Sequence, residues 1–236
     1  MSGQGQSHEH DPRWSAVDEY ALSHLHPSHA IPSLSALEHA LHNSQKEGLP
    51  DIAVSPSQGK YLQLQARLIR AKDILEVGTL GGYSTIWLAN ATPDTHVTSV
   101  EVDQHHAEVA RANIKNAGVE GRVEVRLGPG LEVLPQLAEE VKSGKRDKFQ
   151  FVFIDADKEN NWNYVDIALG MCEPGACIIV DNVVRKGQLA KDTSDPRIAG
   201  ARRVVENIGK DDRLEGVVVQ TVGDKNYDGF LFAVVK

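Results

Sequence analysis

The sequence predicts an α/β fold: a mostly parallel sheet with helices on both faces, an N-terminal helical cap and a C-terminal antiparallel hairpin strand. Three observations predict it. Short apolar runs alternate with stretches of helical spacing from residue 73 to residue 208, the succession that builds parallel sheets. The run Asp73-Ile-Leu-Glu-Val breaks into glycines at 78, 81 and 82 before helical spacing resumes at Ile86, Leu88 and Ala89, which reads as strand, tight turn and helix. The chain then closes on two β-rich runs, 216–222 and 229–235, around the polar turn 223–226, a hairpin whose second arm adds an antiparallel strand to the sheet.

Three helices precede the sheet. Residues 14–25 place Trp14, Val17, Ala21, Leu22 and Leu25 at helical spacing, with Pro27 just beyond. A second helix starts at Ser33 or Ser35, carries Leu34, Leu37 and Leu41, and stops before Gly48. A third spans 55–69, with Pro56 at its start and Leu62, Leu64 and Leu68 along it. After the glycine turn come a strand at 97–102, a helix at 104–117 ended by Gly118, a strand at 123–127 and a helix at 131–141. A strand at 149–154, a helix at 162–171 broken by Pro174-Gly175, a strand at 176–180 and a helix at 197–208 complete the alternation.

Length and composition fit this scheme. With 236 residues, the chain makes one domain over 13–236, preceded by a disordered tail over 1–12 that is rich in Gly, Gln, Ser and His. A chain of this size buries roughly 70–75% of the surface its unfolded form exposes, so it needs no disulfide or metal staple. A formal net charge of −8 argues against nucleic acid and anionic membranes as partners. No apolar run approaches 18 residues and none follows a basic start, so a cytoplasmic location is the expectation. Cys172 and Cys177, separated by Glu-Pro-Gly-Ala, read as buried small hydrophobes beside a turn.

The glycine turn is the first candidate binding element, because glycine lets backbone approach a ligand without an intervening Cβ and ligands of open α/β sheets bind at the carboxyl ends of strands. A dinucleotide fingerprint fails at Leu80 and Tyr83, and no lysine follows with P-loop spacing. That disfavours an NAD-dependent dehydrogenase and leaves a nucleoside without pyrophosphate, of which S-adenosylmethionine is the common one. Glu101 ends the next strand, about twenty residues past the turn, where a carboxylate accepts hydrogen bonds from ribose hydroxyls; Asp103 is the alternative. Asp155-Ala-Asp157-Lys158 and Asp181-Asn182 follow two later strands and emerge at the same edge. They are either ordinary loop starters or hard oxygen donors suited to Mg²⁺, Mn²⁺ or Ca²⁺.

These residues together resemble a known family. Residues 74–88, Val100-Glu101, Gly128-Pro129-Gly130, Phe153-Ile-Asp-Ala-Asp-Lys158, Ile179-Val-Asp-Asn-Val-Val-Arg185 and Tyr227-Asp-Gly-Phe230 are similar, in order, to motifs of the cation-dependent O-methyltransferases, the caffeoyl-CoA and catechol O-methyltransferase-like enzymes. The resemblance implies a Rossmann-like methyltransferase fold and a homodimer. It implies a metal on Asp155, Asp181 and Asn182, and donor contacts from Val54, Glu76, Gly78, Thr79, Ser84, Glu101, Gly130 and Asp155. It also implies catalytic roles for Asp155 and for Lys158, three residues further on. The expected activity is metal-dependent methyl transfer from S-adenosylmethionine to a hydroxyl of a small catechol-like or phenolic acceptor. The rival reading is a nucleoside-binding regulatory module without catalysis, against which the intact Asp155, Lys158, Asp181 and Asn182 speak.

Overall fold

The computed structural model describes residues 11–191 and 194–236. Its elements run α1 (Pro12–Leu25), α2 (Leu34–Lys46), α3 (Pro56–Leu68), β1 (Asp73–Val77), α4 (Tyr83–Ala89), β2 (His96–Glu101), α5 (Gln104–Asn116), β3 (Val123–Leu127), α6 (Gly130–Lys142), β4 (Phe149–Ile154), α7 (Asn161–Leu169), β5 (Cys172–Val180), α8 (Pro196–Ile208), β6 (Leu214–Val222) and β7 (Tyr227–Val235). The seven strands form one sheet in the order β3-β2-β1-β4-β5-β7-β6. All pairs from β3 to β5 are parallel, whereas β7 is antiparallel to both β5 and β6.

The inner strands β1, β2 and β4 and the carboxyl half of β5 are buried on both faces, and their period of two splits the core accordingly. Leu75, Val77, Val152, Ile154, Ile178 and Val180 face one cluster with residues of α6, α7 and α8. Ile74, Phe151, Phe153, Cys177 and Ile179 face the other, with residues of α2 to α5. Strand order therefore reverses between β1 and β4, the switch point at which such sheets open a crevice.

Local chemistry sets the helix ends. Ser33, Ser55, Asp103 and Asp195 each accept a backbone N–H of the first turn that follows them, satisfying donors that the helix leaves orphaned. Of the expected 1–12 tail, residues 1–10 lie outside the described residues, but Asp11 and Pro12 cap and open α1.

Three expectations change in detail. Helix α1 has the predicted spacing yet buries none of its residues; it is tied down by polar contacts, Ser57 Oγ and the Asp224 N–H donating to Asp18. In α3, Leu62 is buried but Leu64 and Leu68 are exposed, and Gly59, Gln63 and Ala66 complete the inner face. Strand β5 begins four residues earlier than predicted, because Pro174-Gly175 does not end it. Residues 173–176 stand opposite Gln150 alone, between the pairs Phe149–Cys172 and Phe151–Cys177, with Glu173, Pro174 and Gly175 exposed and Ala176 buried; the α7 helix stops at Leu169 and Met171 belongs to the core.

Candidate active site

A cavity of about 920 Å³ lies along the carboxyl edge of β1, β2, β4 and β5, at the upper end of the range for small-molecule sites. One of its walls is the turn after β1. Gly78 has φ +102°, and a Cβ there would stand 2.1 Å from the Asp155 carbonyl oxygen. Only glycine lets β1 turn this close to the end of β4. The Gly78 N–H donates to the Val100 carbonyl at 2.9 Å, and the Gly82 N–H to that of Thr79 at 2.8 Å. Leu80, a non-glycine, is left-handed at φ +50°, a conformation that the surroundings must impose.

Glu101 does much of the imposing. Its Oε2 accepts the N–H groups of Thr79 at 3.2 Å and Leu80 at 2.7 Å, and its Oε1 those of Val102 and Asp103, both at 2.9 Å. His106 Nδ1 stands 3.7 Å from Oε1. The side chain lines the cavity as the sequence suggested, but two of its four conventional acceptor positions already hold the turn and two the backbone that follows β2, so any ligand hydroxyl must share them.

Glu76 is placed differently from the other expected donor contacts. Val54, Gly78, Thr79, Ser84, Glu101, Gly130 and Asp155 line the cavity, whereas Glu76 does not. It is fully buried behind the turn, where Ser84 Oγ donates to Oε1 at 2.6 Å, Ser99 Oγ to Oε2 at 2.5 Å, and Thr85 Oγ1 also to Oε2. Burial raises its carboxyl to about 7, against the pull of the three hydroxyls. Thr79 Oγ1, 2.6 Å from Ser99 Oγ, links this cage to the turn.

Across the switch point, the end of β4 presents Asp155, whose Oδ1 accepts Lys158 Nζ at 2.6 Å, with both side chains largely buried. The Asp181 N–H donates to the Ile154 carbonyl, which seats Asp181 beside Asp155 just behind the cavity wall. Burial, then the Asp155 charge, pushes the Asp181 carboxyl up to about 7, with Lys158 opposing. Asn182, at φ +54°, lines the cavity. Among the described residues no cluster of three or more His, Cys, Asp or Glu could hold a metal ion. The candidate set is two carboxylates and an amide, all hard oxygen donors, and fits a hard cation in donor chemistry.

Several cavity residues received no role of their own from the sequence: His106, Tyr164 and Arg197, and Asp157 and Arg185, which stand inside quoted motifs. Tyr164 donates its hydroxyl to Asp157, and burial and that carboxylate hold the phenol above its ordinary range. A Cβ on Gly130 would meet the Tyr164 ring at 2.7 Å. Only the glycine reading at 128–130 could have hinted that an aromatic ring packs there.

Comparison with known proteins identifies the family. The O-methyltransferase family model matches residues 28–229. O-methyltransferase imqG of Aspergillus flavus is 48% identical over 98% of this chain and 94% of its own length. A catechol O-methyltransferase of Mycobacterium tuberculosis is 47% identical over 85% of this chain and 89% of its own. The crystal structure of a Bacillus cereus O-methyltransferase in complex with SAH superposes with a TM-score of 0.87 at 45% identity, covering 95% of this chain and 99% of that one. With most of its length matched by the family model and by close relatives, the chain belongs to the O-methyltransferase family, with the Rossmann-like fold that its motifs implied.

Proposed function

We propose that the protein transfers a methyl group from S-adenosylmethionine to one hydroxyl of a catechol-like acceptor, with a divalent cation, Mg²⁺ in the first place, held by Asp155, Asp181 and Asn182. The observation that carries the reading is the meeting, on one cavity, of the glycine turn with Glu101 and of Asp155, Lys158 and Asn182.

The glycine turn and the Glu101 carboxylate bind and orient the donor, with Ser84, Val54 and Gly130 lining the same cavity. The cation, when bound, supplies Lewis-acid polarisation of the acceptor hydroxyls. Lys158, paired with Asp155 as an ammonium, releases one proton to solvent as it leaves that pair, and the neutral Nζ then takes the acceptor hydroxyl proton. The acceptor oxygen forms its bond to the methyl carbon as the carbon–sulfur bond breaks, and that electron pair stays on sulfur, leaving a neutral thioether. Alignment of donor and acceptor supplies about 7–11 kcal/mol in well-oriented reactions, against roughly 3–5 kcal/mol for a positioned base, so holding the two substrates outweighs proton removal.

The test is a panel of catechols and simple phenols with labelled donor, with and without Mg²⁺. Transfer confined to vicinal diphenols and requiring the cation is expected; no transfer to any diphenol overturns the reading. The same reading makes the protein a homodimer in the cytoplasm. Sedimentation checks the first and tagged-protein microscopy the second. Among the described residues no helix is long and apolar enough to cross a membrane.

A further inference from the structure

The acceptor end of the cavity holds an unusual cation. Strand β5 lies on the far side of β4 from the glycine turn, so the loop that follows it bounds the cavity where the donor does not reach. This loop carries Asn182 and, three residues on, Arg185, and both line the cavity. Arg185 and Lys186 are left-handed non-glycine residues, at φ +53° and +55°. That conformation is held from β7: the Arg185 N–H donates to Asp228 Oδ1 at 2.8 Å, and the Val183 N–H to the Gly229 carbonyl at 3.0 Å. A backbone fixed in a sparsely populated region beside a cavity points to a side chain that is wanted there.

Charge accounting gives that side chain a task. Lys158, Arg185 and Arg197 are the lysine and arginine side chains that line the cavity. Lys158 is paired with Asp155 at 2.6 Å, and Arg197 with Asp195 at 2.8 Å. Among the described residues, no carboxylate makes an ion pair with the half-buried Arg185 guanidinium. Asp228, the charge that feels it, already accepts the N–H groups of Arg185 and Gly229.

We infer that the methyl acceptor carries a carboxylate and that the Arg185 guanidinium receives it; this rests on the reaction proposed above and names the acceptor's class. A planar guanidinium binds a carboxylate through two parallel N–H donors. One unpaired cation balances the single charge of a carboxylate, not the greater charge of a phosphate. The acceptor is therefore an aromatic acid with vicinal hydroxyls, its acid group pointing toward β5 and β7 and its hydroxyls toward Asp155 and Lys158.

The experiment compares 3,4-dihydroxybenzoate with 3,4-dihydroxybenzamide, which has the same shape and no charge. Titration calorimetry of each into the protein loaded with S-adenosylhomocysteine and Mg²⁺ reads binding apart from turnover. The acid is expected to bind roughly ten- to a hundredfold tighter than the amide, as a charge-assisted hydrogen bond gives. Arg185→Gln should erase that ratio and Arg185→Lys should restore part of it. Unchanged S-adenosylhomocysteine affinity reports that the variants are folded. Equal binding of acid and amide by the wild-type protein, or a preference that survives in R185Q, overturns the inference. Preferential binding of the acid without methyl transfer supports it and overturns the proposed reaction instead.

Discussion

The two walls of the cavity are built from different material. The wall that the proposed reaction gives to the donor is main chain: glycines, a left-handed Leu80, and amides collected by Glu101, all backed by the fully buried Glu76. The acceptor wall is side chain: Asp155, Lys158, Asn182 and Arg185, on loops after β4 and β5. A wall of backbone cannot be altered without disturbing the fold that makes it, whereas a wall of side chains can be re-chemised one residue at a time. Binding of a common donor is thus tied to stability, and choice of acceptor is free to vary.

The largest expected effects lie on the acceptor wall and should leave the fold alone. Chelation is expected to abolish activity and Mg²⁺ or Mn²⁺ to restore it, since Asp155, Asp181 and Asn182 offer only hard donors; assays of metal-stripped protein check this, and full activity without metal breaks it. Lys158→Ala should lower turnover by roughly 10²–10⁴, with a far smaller change in donor affinity. Lys158→Arg keeps the charge but cannot accept a proton at ordinary pH, so full rescue by Arg would leave the charge and discard the base.

On the donor wall, stability and binding should move together. Gly78→Ala places a Cβ 2.1 Å from the Asp155 carbonyl at φ +102°, so a loss at or above the upper end of about 1–3 kcal/mol is expected. Urea titration reads the stability and calorimetry reads the donor. A stable G78A that binds donor normally would dissolve the contrast between the walls.

Glu76 sharpens it through pH. Its folded value of about 7 lies above the ordinary 4.5. Between those values the native protein keeps a proton that the unfolded chain has released. Stability therefore falls as pH rises through this window, by about 3 kcal/mol in all. Asp181 is raised to a similar value, so the measurement is the difference between wild type and Glu76→Gln. The variant should lose part of the slope, and parallel profiles from pH 4.5 to 7 would remove the role.

The smallest effect is at Glu101. Glu101→Ala should weaken donor binding by about 1.5–3 kcal/mol, ten- to a hundredfold, and should also lower stability, because four backbone N–H groups lose their acceptor. Calorimetry and thermal melting together check this; lost affinity at unchanged melting temperature would make Glu101 a ligand contact only.

The donor wall was legible in the sequence because backbone conformation writes itself locally. Gly78 and the breaks after β1 and β2 reported the turn, and Glu101 and Asp155 announced themselves by standing at the ends of apolar runs. His106 and Arg197 stand outside every quoted motif, and Arg185, though inside one, has its place on the cavity fixed by Asp228 of β7, far along the chain. Pro174-Gly175 misled for a related reason. The pair marks a reversal of chain direction unless the neighbouring strand lets it loop out, and only the pairing of β4 with β5 decides which. Glu76 was expected as a donor contact on the family resemblance alone; its side chain is taken up by Ser84 and Thr85 of α4 and Ser99 of β2, which no local pattern announces.

Strand β7 has a consequence for the order of synthesis. It pairs with β5 and supplies Asp228 and Gly229 to the loop that carries Arg185, yet it lies near the C-terminal end of the chain. While the chain is still emerging from the ribosome, β1 to β5 can associate and the donor wall can form. The far edge of β5, with Ile178, Ile179 and Val180 along it, meanwhile waits with its amides and carbonyls unpaired. Such an edge invites pairing with another nascent chain, and the acceptor wall is completed only when residues 227–235 arrive to cover it.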